Sequence, residues 1–326
     1  MEILLNAALF LVGLVAIIKG ADILTDGAAS IARRFGIPTL VVGLTIVAMG
    51  SSAPELVVSV VSALQGNVDM SLGNVVGSNI FNILAIMGIT AIVSPIVVER
   101  GNVRNDVPFA VLSSLVIVIT AFDSLFSGGG AVNSISRTDG LLMLCMFAIF
   151  LSYTLSIATP HASGADDSGG KEEMKVWKAT LFIILGLGLL IVGGNCLVDG
   201  ASAIASFLGV SDSVIALTIV SAGTSAPELA ASVMAARKGD TAMALGNVVG
   251  SCIFNVFFVL GIAATVHPLG IGGITYFDIA TLLGASCLLW LFCRFGKTYL
   301  TLTRSEGVIM TMLAVAYYTW LVIQAS

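Results

Sequence analysis

Charge is what this sequence has least of. Only 10% of its 326 residues are Asp, Glu, Lys or Arg, against 57% hydrophobic, and the mean hydropathy is +1.06. A soluble domain carries about 25% charged residues, so a water-facing globular protein is excluded and most of the chain is expected inside a bilayer. The five cysteines (Cys145, Cys196, Cys252, Cys287, Cys293) lie in apolar stretches without paired spacing, which argues against a disulfide framework or a thiolate zinc site. There are two histidines, His161 in a polar segment and His267 near a helix end, so no imidazole-based metal site is expected. No basic region precedes the first apolar run, which starts Met1-Glu2-Ile3; the run is read as a membrane helix and not as a secretory leader. The alternation of a transmembrane barrel is missing too, since Leu142–Leu155 and Leu181–Val192 are apolar on every face. No cofactor and no nucleic-acid partner is expected.

What is there is a series of apolar runs, each about 20 residues long and able to cross a hydrocarbon core as a helix. Ten spans are predicted, at 3–24, 38–64, 70–94, 106–123, 139–158, 178–202, 212–235, 241–265, 278–294 and 306–324. With the N-terminus outside, twelve of the 14 basic residues fall in inward loops; only Arg137 lies in an outward one, and Lys19 within the first span. Positive charge favours the cytoplasmic side, so both termini are expected outside. The polar segment 159–177, containing Asp166, Asp167 and Lys171, reads as a cytoplasmic linker.

The chain repeats itself. Leu44-Thr45-Ile46-Val47 and Gly50-Ser51-Ser52-Ala53-Pro54-Glu55-Leu56 return as Leu217-Thr218-Ile219-Val220 and Gly223-Thr224-Ser225-Ala226-Pro227-Glu228-Leu229, displaced by 173 residues. The same displacement carries Leu72-Gly73-Asn74-Val75-Val76-Gly77-Ser78 onto Leu245-Gly246-Asn247-Val248-Val249-Gly250-Ser251, and Phe81-Asn82 onto Phe254-Asn255. Residues 1–158 and 178–326 are therefore expected to be two five-helix repeats, with motif regions 38–94 and 211–265. Five is odd, so the second repeat enters the membrane from the opposite side. Inverted repeats of this kind recur in secondary transporters, with the substrate site at the midplane where the repeats meet.

Glu55 and Glu228 each fall near the middle of an apolar span, where an ionisable group costs at least ~2.5 kcal/mol and marks a functional site by default. Pro54 and Pro227 have no N–H and crowd the carbonyl four residues back, so both helices are expected to break near Gly50 and Gly223. Carbonyls freed at such depth need a partner, and a cation is one. Ser51, Ser52, Thr224 and Ser225 add hydroxyls within one turn of the carboxylates. Asn74, Ser78 and Asn82, like Asn247, Ser251 and Asn255, recur every four residues on one helix face. Beside them runs a Gly-x-x-x-Gly ridge that lets another helix approach. Carboxylates, hydroxyls, amide oxygens and carbonyls make a hard-cation inventory. Two carboxylates balance one Ca²⁺ or two Na⁺ equally, which is a physical basis for exchange.

At these residues the sequence resembles the calcium/cation antiporter superfamily, in its prokaryotic sodium/calcium exchanger branch, whose paired repeats show G-[ST]-S-x-P-E and G-N-x-x-G-S-N-I-x-[ND]. The resemblance implies an all-α membrane protein of ten helices that exchanges Ca²⁺ for Na⁺ by alternating access, with the first and sixth helices sliding against the rest. It implies that Glu55 and Glu228 bind both ions. Ser51, Thr224, Ser52, Ser225, Ser78, Ser251, Asn82 and Asn255 would complete the cluster, and Ala48 and its mate Ser221 would offer carbonyls. Some members carry Asp where this chain has Asn255, which leaves two fixed charges here. Calcium/proton or other cation/proton exchange is the alternative, with a cation channel or an intramembrane hydrolase more remote. A compact chain of this type is expected in the cytoplasmic membrane of a prokaryote. Ca²⁺, Na⁺ and the lipid bilayer are its expected partners, and a monomer is expected to suffice for transport.

Overall fold

A computed structural model describes residues 2–66, 68–122, 133–158, 174–207, 221–271 and 273–325. The protein is helical almost throughout: α1 (Glu2–Phe35), α2 (Thr39–Ser51), α3 (Ala53–Leu64), α4 (Met70–Val93), α5 (Arg100–Ala121, with a turn at Asn105), α6 (Arg137–Ile157), α7 (Val176–Phe207), α8 (Ser221–Thr224), α9 (Ala226–Arg237), α10 (Thr241–Val266), α11 (Tyr276–Phe295) and α12 (Arg304–Ala325). Among the described residues eight of these are long and apolar enough to cross a membrane, and α2 with α3 forms a ninth, bent span. The span expected at 212–235 is described only from Ser221 onward. Two short antiparallel ladders tie loops together: β1 (Ile96–Val97) with β4 (Thr301–Leu302), and β2 (Ser134–Ile135) with β3 (Leu269–Gly270).

Most spans are apolar all round, as a helix shared between lipid and protein must be. Burial separates them. In α4 and α10 the most apolar stretches are 78% and 83% buried, whereas the other spans lie between 28% and 39%. These two helices, which carry the Asn/Ser stripes, are thus the centre of the bundle. Their tight turns from the preceding helices end on glycines in the left-handed region, Gly66 (φ 74) and Gly239 (φ 87), at matched positions. A side chain there would clash with its own backbone.

The first helix runs to Phe35, well past the expected end at 24, and α7 extends to Phe207. Asp26 and Asp199 are therefore inside helices and not at their ends. The two helices pack antiparallel through glycines spaced seven apart, Gly13, Gly20 and Gly27 against Gly193, Gly186 and Ala179. A Cβ on Gly20 would lie 2.9 Å from the Gly186 carbonyl oxygen, and one on Gly186 2.7 Å from Leu24 N. Backbones meet directly, which is how helices associate where lipid offers no hydrophobic gain. Opposite faces carry exposed Leu11, Val15, Ile184 and Val192, the side that meets acyl chains.

One ionic contact ties α1 to the centre. Lys238, just after α9, reaches Asp22 Oδ1 at 2.7 Å and Asp26 Oδ1 at 2.9 Å, and donates to the Asp22 carbonyl at 2.7 Å. The aspartates are 41% and 44% exposed, so screening keeps the contribution of each pair below about 1 kcal/mol. Lys238→Met is expected to lower the apparent melting temperature in detergent by only a few degrees at low ionic strength. In about 1 M choline chloride, where screening acts within ~3 Å, the difference should vanish; an undiminished gap would mean that packing, not charge, is what the lysine supplies.

Candidate cation site

Both prolines do what their chemistry demands. The chain leaves the helix at Ser52 (φ −84, ψ 11) and at Ser225 (φ −90, ψ 8), one residue before α3 and α9 begin. The axis turns by 48° between α2 and α3. Pro54 and Pro227 then stand in the first turn of a new helix, where a missing N–H costs nothing. Glu55 and Glu228 occupy the same first turns, so their carboxylates sit at the positive end of a helix dipole. Two asparagines hold these turns in place. Asn74 donates to the Glu55 carbonyl at 3.2 Å and to Ser59 Oγ at 2.9 Å; Asn247 donates to the Glu228 carbonyl at 3.2 Å and to Ser232 Oγ at 2.8 Å.

The two motifs are linked crosswise. Ser52 Oγ donates to Glu228 Oε1 at 2.8 Å, and Ser225 Oγ donates to Glu55 Oε1 at 3.2 Å. Each serine thus serves the carboxylate of the other motif, which brings both acids to one place. Ser78 lies beside Glu55 and Ser51 beside Glu228. All six of these residues are at most 1% exposed. Ser51 Oγ further contacts Asn247 Oδ1 at 3.2 Å.

Asn82 and Asn255 stand where α4 and α10 widen into π-helical turns, Phe81–Ile86 and Asn255–Leu260. A third such turn, Gly43–Val47, precedes the break in α2. The glycine ridge of α10 fits against this segment: a Cβ on Gly246 would approach the Leu40 carbonyl oxygen to 2.5 Å, and one on Gly250 the Leu44 carbonyl to 2.7 Å.

Among the described residues, Glu55 Oε2, Glu228 Oε2, Ser251 Oγ, Asn255 Oδ1 and both polar atoms of Asn82 are buried without a hydrogen-bond partner. Each such atom costs about 1–3 kcal/mol if left unsatisfied. Five of the six are oxygens, the donor type that suits a hard cation. No cluster of three His, Cys, Asp or Glu is found among the described residues, so the negative charge is limited to the two glutamates.

The remaining expected ligands are less directly engaged. Ala48 is fully buried, but its carbonyl accepts the Ser52 N–H at 3.0 Å and the Ser51 hydroxyl at 3.3 Å. The freed carbonyl expected there is therefore already occupied. Thr224 is half-buried at the end of α8, and Ser221 opens that helix, its side chain outside the described residues. Asn74 and Asn247 were part of the stripe read from the sequence, yet their role as braces needed the fold. Asn79 is a fixed position of the motif G-N-x-x-G-S-N-I-x-[ND], but it lies off the four-residue stripe of Asn74, Ser78 and Asn82 and is not among the expected ligands.

Comparison with known proteins places this geometry. The family model described as sodium/calcium exchanger protein matches residues 5–156 and 178–323. The chain is 40% identical to CaxA of Alkalimonas amylolytica, covering 96% of this chain and 98% of that one. It is 31% identical to the sodium/calcium exchanger MaX1 of Methanosarcina acetivorans, over 97% of this chain and 98% of that one. Its fold is similar to that of the sodium-calcium exchanger NCX_Mj soaked with 10 mM Na⁺ and no Ca²⁺, with a TM-score of 0.82 at 31% identity, covering 96% of this chain and 98% of that one. A multi-pass membrane helix bundle with two crossed glutamates at its centre, this chain belongs to the sodium/calcium exchanger family of cation antiporters.

Proposed function

We propose that the protein exchanges Ca²⁺ for Na⁺ across the cytoplasmic membrane by alternating access, with ten helices in two inverted five-helix repeats and both termini outside. The observation that carries this reading is the pair of buried carboxylates, each held by the other motif's serine and each with its second oxygen unpartnered. One Ca²⁺ or two Na⁺ would neutralise the pair, so either load closes the electrostatic balance and the empty site is the costly state. In this reading Glu55 and Glu228 are the charged ligands, and Ser51, Ser52, Ser78, Thr224, Ser225, Ser251, Asn82 and Asn255 supply neutral oxygens. Ala48 and Ser221 supply carbonyls, Ala48 by giving up its bond from the Ser51 hydroxyl. The matching of Asn74 with Asn247 and of Ser52 with Ser225 across 173 residues supports the repeat. The glycine-lined α1/α7 pair, lipid-facing on its outer side, is the body that slides.

The test is radiocalcium uptake into proteoliposomes under an imposed Na⁺ gradient. Uptake is expected to follow the outward Na⁺ gradient and to collapse when Na⁺ is equal on both sides. Uptake driven only by a pH gradient would replace sodium by protons as the counter-ion; a unitary conductance in planar bilayers would replace the exchanger by a channel.

A further inference from the structure

Asn79 is fully buried, one residue after Ser78 on α4, and is absent from the ligand set above. Its Nδ2 donates to the carbonyl oxygen of Cys252 at 3.1 Å, and its Oδ1 accepts from Asn255 Nδ2 at 3.1 Å. A backbone carbonyl can only accept. It therefore forces the NH₂ side of the Asn79 amide towards α10 and the oxygen side towards Asn255. Asn255 must answer with its own NH₂, and its Oδ1 is turned away from Asn79. That oxygen is one of the buried atoms without a partner among the described residues, in company with Glu55 Oε2 and Glu228 Oε2.

We propose that Asn79 is a positioning residue for the cation site: by relaying the polarity of the Cys252 carbonyl, it holds Asn255 in the one amide orientation that offers oxygen to a cation. This rests on the site reading given above. The device exists on one side only. Cys252 is the residue 173 positions from Asn79, so Asn82, the mate of Asn255, faces a thiol where Asn255 faces an amide. The two amides are thus braced unequally: Asn255 is tied through Asn79 to a backbone carbonyl, whereas Asn82 meets a thiol, which is both a weak donor and a weak acceptor and so fixes neither orientation. An unlocked amide presents NH₂ as readily as oxygen, and the NH₂ orientation repels a cation.

The test is a mutant cycle on the purified full chain, read as radiocalcium binding affinity. Asn79→Leu keeps the volume and removes both hydrogen bonds. In the otherwise native protein it is expected to weaken Ca²⁺ binding roughly 5- to 30-fold, the cost of about one mispresented ligand. Asn255→Asp has oxygen on both sides, so orientation no longer matters. In that background Asn79→Leu should change affinity less than about twofold, or improve it by removing the Asn79 oxygen from beside a carboxylate. An equal loss in both backgrounds would show Asn79 to be a packing residue, and no loss in either would remove it from the site; both overturn the proposal. Should Asn79→Leu not yield monodisperse protein, Asn79→Ser is carried through the same cycle with the same criteria. If the native chain binds Ca²⁺ and Glu55→Gln does not, a flat cycle defeats the role of Asn79 alone. If the native chain binds no Ca²⁺, the site reading itself fails and this role with it.

Discussion

Glu55→Gln and Glu228→Gln should each abolish Na⁺-driven calcium uptake while leaving the ion-free protein as stable as before, or more so. Both carboxylates are fully buried, and each keeps one oxygen bonded to a serine and the other unpartnered among the described residues. Without an ion, the two acids face a low-dielectric interior and each other. Glutamine has the same shape and still accepts the serine hydroxyl through Oε1, so the fold loses nothing and an uncompensated charge is removed. With Ca²⁺ bound the sign reverses. Removing one of two charges that neutralise a buried divalent ion costs about 3–5 kcal/mol, or a loss of affinity on the order of a hundred- to several thousandfold. The measurement is the melting temperature with and without Ca²⁺, alongside uptake. Native protein should gain stability on adding Ca²⁺ through mass action, and both variants should show no such gain. A variant that melts lower without Ca²⁺ would mean that the carboxylate is structural, and persistent uptake in both would remove the glutamates from the ion path.

Gly186→Ala should disable the protein, and Gly188→Ala should do almost nothing. The two glycines are two residues apart on α7 and identical in propensity terms, but a Cβ at 186 would meet Leu24 N at 2.7 Å and the Gly20 carbonyl oxygen at 2.8 Å, whereas among the described residues nothing lies within 4 Å of one at 188. Neither neighbour at 186 is a side-chain tip that can swing away. Relief requires α1 and α7 to separate, opening the glycine seam along their length. Overpacking of this kind costs about 1–3 kcal/mol in a soluble core, and more is expected where three close approaches are coupled along one seam. The melting temperature should fall by roughly 5 °C or more, with uptake reduced at least tenfold. At Gly188, alanine should be neutral or slightly stabilising because it favours the helix by up to ~1 kcal/mol. Equal behaviour of the two variants would mean that the seam is not the close contact described.

Much of this protein was open to reading before any coordinates. Low charge and repeated apolar runs pointed to membrane helices because a polar backbone in lipid has so few other solutions. The 173-residue recurrence singled out Glu55 and Glu228, and the prolines beside them announced the breaks at Ser52 and Ser225, since a missing N–H is a local property of the chain. Helix lengths were less well read. The first span is expected to end near residue 24; the helix continues to Phe35, and Lys238, more than 200 residues away, pairs with Asp22 and Asp26 along it.

What no inspection of the chain could reach is how its two halves meet. That Ser52 bonds Glu228 and Ser225 bonds Glu55, each serving the opposite motif, follows from the packing of α2, α3, α8 and α9 around α4 and α10, not from any spacing. The π turns at Asn82 and Asn255 carry no sequence signal. Asn79 and Cys252 occupy matched positions in the two copies, yet in three dimensions Asn79 bridges the Cys252 carbonyl and the Asn255 amide, which a thiol at the same place does not do. Local chemistry determines where the chain breaks and which groups are charged; only the tertiary contacts between the two copies determine which of those groups come together.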